Sequence, residues 1–192
     1  KHFPAFNYYI DSVTMEAHLN DAVVDERDIA YFAPRLKTFP AIVLKVSGDG
    51  LGTVADLGAK NLVVSDGLTT VKTNVTMKGL PDIYQTLISC TETEIITSGA
   101  GILHYVPSLR NSPEIALEHI ALAYFKGDYT GYIENFLVNG TIKTNLGAIN
   151  THLNMSIPDF SSKTASYSGN VSAANVMIGD FLKQPLLGNI SL

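Results

Sequence analysis

Three glycines at alternate positions, Gly48, Gly50 and Gly52, are the nearest this chain comes to a phosphate-cradling loop. Such a loop works because a helix opens directly behind it and presents its N-terminal amides to the anion. No helical pattern follows here; the residues continue as turn and strand, where glycine marks a bulge or a bend. The histidines, His2, His18, His104, His119 and His152, show no metal-ligand spacing. Glu92 and Glu94 alternate on a possible strand and read as its solvated face, whereas Asp25, Glu26 and Asp28 read as the acidic first turn of a helix.

Cys90 is the sole cysteine, which excludes an internal disulfide and a thiolate zinc site. A nucleophilic thiol needs a base and an orienting group, and no signature for either is present, so Cys90 reads as an inert strand residue. Glycosylation-type tripeptides begin at Asn74, Asn139, Asn154, Asn170 and Asn189. Strands rich in Asn and Thr generate that pattern by themselves, and it matters only in a eukaryotic secretory pathway. The chain is therefore expected to be non-enzymatic, with no cofactor and no metal.

What remains to be positioned is an apolar surface. The chain has 192 residues, 46% of them hydrophobic and 16% charged, with a formal net charge of −5 and no basic cluster. That is enough to bury a core, and nucleic acid is not an expected partner. Lys1 stands first, with no signal-peptide pattern and no apolar run of spanning length. The expectation is a segment of a longer protein whose membrane anchor lies elsewhere.

Period-two alternation dominates, as in Val71-Lys72-Thr73-Asn74-Val75-Thr76-Met77-Lys78 and Ile149-Asn150-Thr151-His152-Leu153-Asn154-Met155. The stretch Ile142-Lys143-Thr144-Asn145-Leu146 has the same character. Further strands are predicted over 41–46, 61–65, 120–125, 136–139 and 166–172, with turns at Asp66-Gly67, Asn139-Gly140 and Leu146-Gly147, arranged as an antiparallel meander. Helices are predicted over 25–32 and 177–183, each stopped by a proline; 82–88 is equally compatible with helix and strand.

The chain also repeats itself. Gly48-Asp49-Gly50-Leu51-Gly52-Thr53-Val54 aligns with Gly127-Asp128-Tyr129-Thr130-Gly131-Tyr132-Ile133, and Asp56-Leu57 with Asn135-Phe136. Val71-Lys72-Thr73 then aligns with Ile149-Asn150-Thr151, and Leu80-Pro81-Asp82 with Ile157-Pro158-Asp159, with drifts of one or two residues. A weaker match sets 28–34 against 177–183. The expected organisation is one segment over 1–192, with repeat units near 41–88 and 120–165 and an irregular insertion over 89–113. Repeated strand units stack because none can cover its own apolar face. The stripe formed by Val71, Val75, Met77, Ile142, Leu146, Ile149, Leu153 and Met155 would line either a closed core or an open groove, and composition does not decide between them.

Several stretches resemble the TamB-like members of the AsmA-like superfamily, long cell-envelope proteins of Gram-negative bacteria. They are Asp28-Ile29-Ala30-Tyr31-Phe32-Ala33-Pro34, Met77-Lys78-Gly79-Leu80-Pro81-Asp82-Ile83, Phe125-Lys126-Gly127-Asp128-Tyr129-Thr130-Gly131-Tyr132, Phe136-Leu137-Val138-Asn139-Gly140, Tyr167-Ser168-Gly169 and Gly179-Asp180-Phe181-Leu182. The resemblance implies a mainly β fold: an elongated, highly curved antiparallel sheet forming a trough with an open apolar groove and a few short helices. It implies a periplasmic location within an inner-membrane-anchored protein, and a role in phospholipid transport to the outer membrane, with acyl chains as the partner and the stripe residues as groove candidates. The alternative it carries is a translocation and assembly module for outer-membrane proteins, acting through sheet edges with a barrel partner.

Overall fold

The computed structural model describes residues 8–25, 43–111, 115–157, 165–184, 186 and 188–191. Nine strands form one antiparallel sheet whose spatial order is its sequence order. They are β1 (Met15–Asp25), β2 (Val43–Gly52), β3 (Asp56–Ser65), β4 (Thr70–Lys78), β5 (Leu87–Thr97), β6 (Ala123–Gly131), β7 (Asn135–Thr144), β8 (Gly147–Ser156) and β9 (Ser166–Ala174). The sheet is open and curved, with β1 and β9 as its edges. A separate two-stranded ribbon pairs β10 (Val176–Met177) with β11 (Asn189–Ile190). The helices are short: α1 (Tyr9–Ser12), α2 (Gly99–Tyr105) and α3 (Ile178–Phe181).

Several boundaries differ from the sequence reading. Asn139-Gly140 is not a turn but the middle of β7, paired with Asp128 and Gly127 on one side and with His152 and Thr151 on the other. The reason is the unbroken alternation Phe136, Val138, Gly140, Ile142, which a reversal at Gly140 would have interrupted. Residues 89–97 belong to β5, so the irregular stretch begins at Ser98. The 82–88 ambiguity resolves into a 3-10 turn at Ile83–Gln85 followed by strand, and the 177–183 helix shortens to α3. Asp25 ends β1, and the rest of the 25–32 helix lies outside the described residues. β1 itself was not anticipated.

Three β-bulges interrupt the ladder, one in each of β1, β3 and β5, at residues with left-handed backbone: Asp21 (φ 50°), Asn61 (φ 51°) and Glu92 (φ 54°). The bulged amide is satisfied by a polar side chain on the next strand each time. Asp21 N–H donates to Ser47 Oγ at 2.9 Å, Asn61 N–H to Asn74 Oδ1 at 2.9 Å, and Glu92 N–H to Asp128 Oδ1 at 3.0 Å. An inserted residue shifts the side-chain phase, so what precedes and follows a bulge is out of step in the sequence yet in step in space. Leu57, Ala59, Leu62 and Val64 of β3 thus face Met77, Val75, Thr73 and Val71 of β4.

The same device accounts for the first step of the drift in the repeat. Asp56-Leu57 and Asn135-Phe136 open β3 and β7, while Val71-Lys72-Thr73 and Ile149-Asn150-Thr151 lie in β4 and β8. β7 pairs with both neighbours without a register shift, so it lacks the residue that Asn61 adds to β3, and the offset between copies shortens by one there. Asn tolerates left-handed backbone better than branched residues do. Asn61→Val is expected to cost about 1–2 kcal/mol and Asn61→Gly to be nearly neutral, as read by thermal melts of the two variants.

Candidate functional site: an open apolar groove

Directly opposed residues in an antiparallel sheet share a face, so the register sorts every strand residue to one side or the other. One face takes Met15, Leu19 and Val24 of β1, Val46 of β2, the β3 and β4 residues above, and Ile88, Cys90, Thr93 and Ile95 of β5. It continues through Phe125 and Tyr129 of β6, Phe136, Val138 and Ile142 of β7, and Ile149, Leu153 and Met155 of β8, to Tyr167 and Val171 of β9. No Asp, Glu, Lys or His of the nine strands points to it. The other face carries Glu16, His18, Lys45, Asp49, Asp56, Lys60, Lys72, Lys78, Glu94, Lys126, Asp128, Lys143 and His152, with scattered aliphatics such as Val23 and Leu51.

Seven of the eight stripe residues, Val71, Val75, Met77, Ile142, Ile149, Leu153 and Met155, lie on the uncharged face. Leu146 does not. It sits in the β7–β8 turn, where alternation no longer applies, and is buried at one rim with Leu117, Ile120 and Ala123. Among the described residues nothing forms a second layer over the uncharged face. Val75 is 7% exposed, but Leu19 is 40% and Val171 53% exposed.

On this face a depression of about 580 Å³ runs over β4 to β7, bounded by Val71, Ile88, Cys90, Ile95, Phe125, Tyr129, Val138 and Ile142. That volume is of the size small-ligand sites use, ~300–1,000 Å³. Its few hydroxyls are partnered: Thr73 Oγ1 meets Thr93 Oγ1 at 2.8 Å, and Thr97 Oγ1 meets Thr69 Oγ1 at 2.7 Å. The Thr151 hydroxyl, further along the same face, is buried without a hydrogen-bond partner among the described residues. Tyr129 stacks on Phe136 with ring centres 5.0 Å apart and donates its hydroxyl to the Tyr132 carbonyl at 3.0 Å. Burial pushes the Tyr129 phenol up to about 12 and raises the Cys90 thiol above its ordinary value, which leaves the thiol protonated at neutral pH. Gly127 and Gly140, facing each other across β6 and β7, leave the space into which the Phe125 ring folds; a Cβ on Gly140 would lie 2.7 Å from it.

The rim holding Leu146 is walled by the segment after β5. Ser98 caps α2 by accepting from Gly101 N–H at 3.3 Å, and a Cβ on Gly99 would collide with the Leu117 carbonyl. Tyr105 donates to Asp66 Oδ2 at 2.9 Å, and Thr69 meets Thr97 at 2.7 Å, which fixes α2 against the β3–β4 turn and sets Ile102 at the end of the depression. Asp66 also accepts from the Leu68 and Thr69 amides at 2.8 and 2.6 Å, the turn chemistry expected at Asp66-Gly67. Burial would raise its pKa, but the Thr69 amide, the Tyr105 hydroxyl and the Leu68 amide together hold the carboxyl below its ordinary value.

The charged face is built from cross-strand pairs. His18 and Asp49, Lys78 and Asp56, and Lys126 and Glu94 are directly opposed and meet at 2.7, 3.5 and 3.1 Å. All but the half-buried Glu94 are exposed, so the pairs help specify register more than they add stability. The Asp49 hydrogen bond raises the His18 pKa. A hollow of about 510 Å³ on this side touches His18, Asp49 and Lys60. No group of three or more His, Cys, Asp or Glu among the described residues is placed to hold a metal ion, and no described helix is long and apolar enough to cross a membrane.

Because the Asp66 carboxyl is stabilised as the anion, its contribution is present at neutral pH and is lost as pH falls through the lowered folded-state value. The melting temperature of Asp66→Asn should therefore fall below the parent's at pH 7, and the gap should close below about pH 4. Searches for relatives return no matching family model, no matching curated protein and no matching solved structure.

Proposed function

We propose that this chain is one segment of a periplasmic lipid conduit, carried by an inner-membrane-anchored protein of the cell envelope, which supports phospholipid transport to the outer membrane. The observation that carries this reading is the absence of any charged side chain from one face of a nine-stranded open sheet. The TamB-like sequence features point the same way. An exposed apolar surface of this extent needs an apolar occupant, and an acyl chain is one whose polar headgroup stays in water at the open side while its tail lies on the groove.

Each methylene moved from water onto such a surface is worth about 0.8 kcal/mol when fully buried. Nine strands spaced by about 4.8 Å make the groove roughly 38 Å long across the strands, so a chain gains contact along much of its length. The lining is chemically uniform, apolar side chains and threonines with no fixed charge, so displacement along the groove exchanges one set of contacts for a similar one. Movement along it would then be passive, with no deep trap.

A second reading, an assembly module acting through sheet edges, is favoured by one observation, the uncharged edge at β9.

A photoreactive amino acid at Val75 or Leu153 is expected to recover lipid when the full-length protein is irradiated in cells. Met77→Glu and Leu153→Glu should abolish that recovery while leaving circular dichroism and cooperative melting intact, because these side chains face a groove. Lys72→Glu, on the charged face, should leave recovery unchanged. Adducts with protein alone, or unfolding of both glutamate variants, would overturn the proposal.

A further inference from the structure

The two edges of the sheet are built differently. β1 presents Glu16, His18, Asp21 and Asp25 and carries a bulge, the devices that discourage a further strand from adding. β9, Ser-Tyr-Ser-Gly-Asn-Val-Ser-Ala-Ala, has no charged residue, pairs with β8 through nine consecutive positions without a register shift, and is exposed along nearly its whole length. Among the described residues nothing pairs with its outer side.

The internal repeat says what that edge fits. β8 is the counterpart of β4, and in each case the next strand lies in the corresponding register. Met77 opposes Ile88 as Met155 opposes Tyr167; Val75 opposes Cys90 as Leu153 opposes Gly169; Val71 opposes Ile95 as Ile149 opposes Ala173. β9 is therefore the structural counterpart of β5. On its far side β5 is not an edge: it takes β6, with Ile88 against Gly131, Cys90 against Tyr129 and Ile95 against Phe125.

We infer that the open edge of β9 is a docking site for an antiparallel strand of the β6 type, aromatic-x-Gly-x-aromatic-x-Gly, supplied by a further unit of this same repeat. The sizes along β9 match that pattern. Tyr167, 75% exposed, would stand opposite glycine; Gly169, with no side chain, opposite the second aromatic; Ala173 opposite the first. Such a strand would continue the uncharged face past β9, because its aromatic and glycine positions share one phase while the intervening residues, as in Lys126, Asp128 and Thr130, take the charged side. The inference rests on register and repeat, not on lipid binding, and stands or falls separately from the conduit reading.

The test uses the intact chain and a fluorescent peptide with the sequence of β6, residues 123–131. Saturable binding by anisotropy is expected, weakened at least about tenfold by Val171→Lys on β9 and unchanged by Leu19→Lys on β1. In a Cys90→Ser background, Ala173→Cys should form a disulfide with a peptide carrying Phe125→Cys and not with one carrying Lys126→Cys. Three results would overturn the inference: no saturable binding, cross-linking without preference for the Phe125 position, or self-association of the chain through β9 that the peptide does not displace.

Discussion

In a sheet of nine strands every residue shares its face with the residues opposite it on both neighbours, so one charged side chain out of phase would stand among the apolar groups of three strands. Phase agreement across the strands is the constraint that everything else here serves. β7 and β8 meet it by simple alternation, with Phe136, Val138 and Ile142 opposed to Met155, Leu153 and Ile149. β1, β3 and β5 meet it with a bulge at Asp21, Asn61 and Glu92, and the two carboxylates among these remain on the charged side. The Glu92 carboxylate accepts from Asn74 there, and the Asp21 carboxylate accepts from Ser47.

The bulges have a second consequence. They lie near the middle of their strands, and the same level is held by glycine at Gly48 of β2, Gly127 of β6 and Gly140 of β7. A bulge bends its strand and strengthens its twist, and glycine permits close backbone approach. A row of such positions running across the strands is a crease, and a crease turns a flat sheet into a curved one. The curvature half-buries side chains such as Ile95 and Val138 without any second layer to cover them, which is how an apolar face of this extent coexists with solvent.

Much of this was legible from residue type. Alternation around Val71 to Met77 and Ile149 to Met155 located the central strands, and seven of the eight stripe residues share one face of the sheet. It failed where a local feature competes with period two. The Asn139-Gly140 dipeptide has the composition of a hairpin turn, yet glycine there serves the close approach to Gly127 and the packing of Phe125. Leu146 continues an apolar run but occupies a turn, so its partners are Leu117, Ile120 and Ala123 rather than strand residues. β1 was missed because Asn20-Asp21 breaks its alternation, and the drift in the repeat, visible in the sequence, was the available sign that such breaks are bulges. The openness of the sheet was not legible in composition, since a covered face and a bare one use the same residues.

Among the described residues, two segments at the walled rim tie parts of the repetitive sheet to one another. The segment after β5 and the segment after β9 occupy equivalent places in the repeat, and they pack on each other. Phe181 of α3 joins Leu117 and Ile120; Ala116 N–H donates to the Phe181 carbonyl at 2.7 Å; Lys183 meets Glu118 at 2.7 Å. Met177 N–H donates to the Leu146 carbonyl at 2.7 Å, which ties the same cluster to the β7–β8 turn. Each cap therefore contacts the cap of the neighbouring unit as well as its own strands. Among the described residues the opposite rim carries α1, the reversals after β2 and β6 and the β4–β5 connection, held by backbone bonds such as Ala55 N–H to the Ile10 carbonyl at 3.1 Å and Gly79 N–H to the Ala55 carbonyl at 2.9 Å. The contacts at the walled rim thus join the segment after β5, the β7–β8 turn and the segment after β9 across the strands between them, while the sheet itself stays open, with β1 and β9 as its edges.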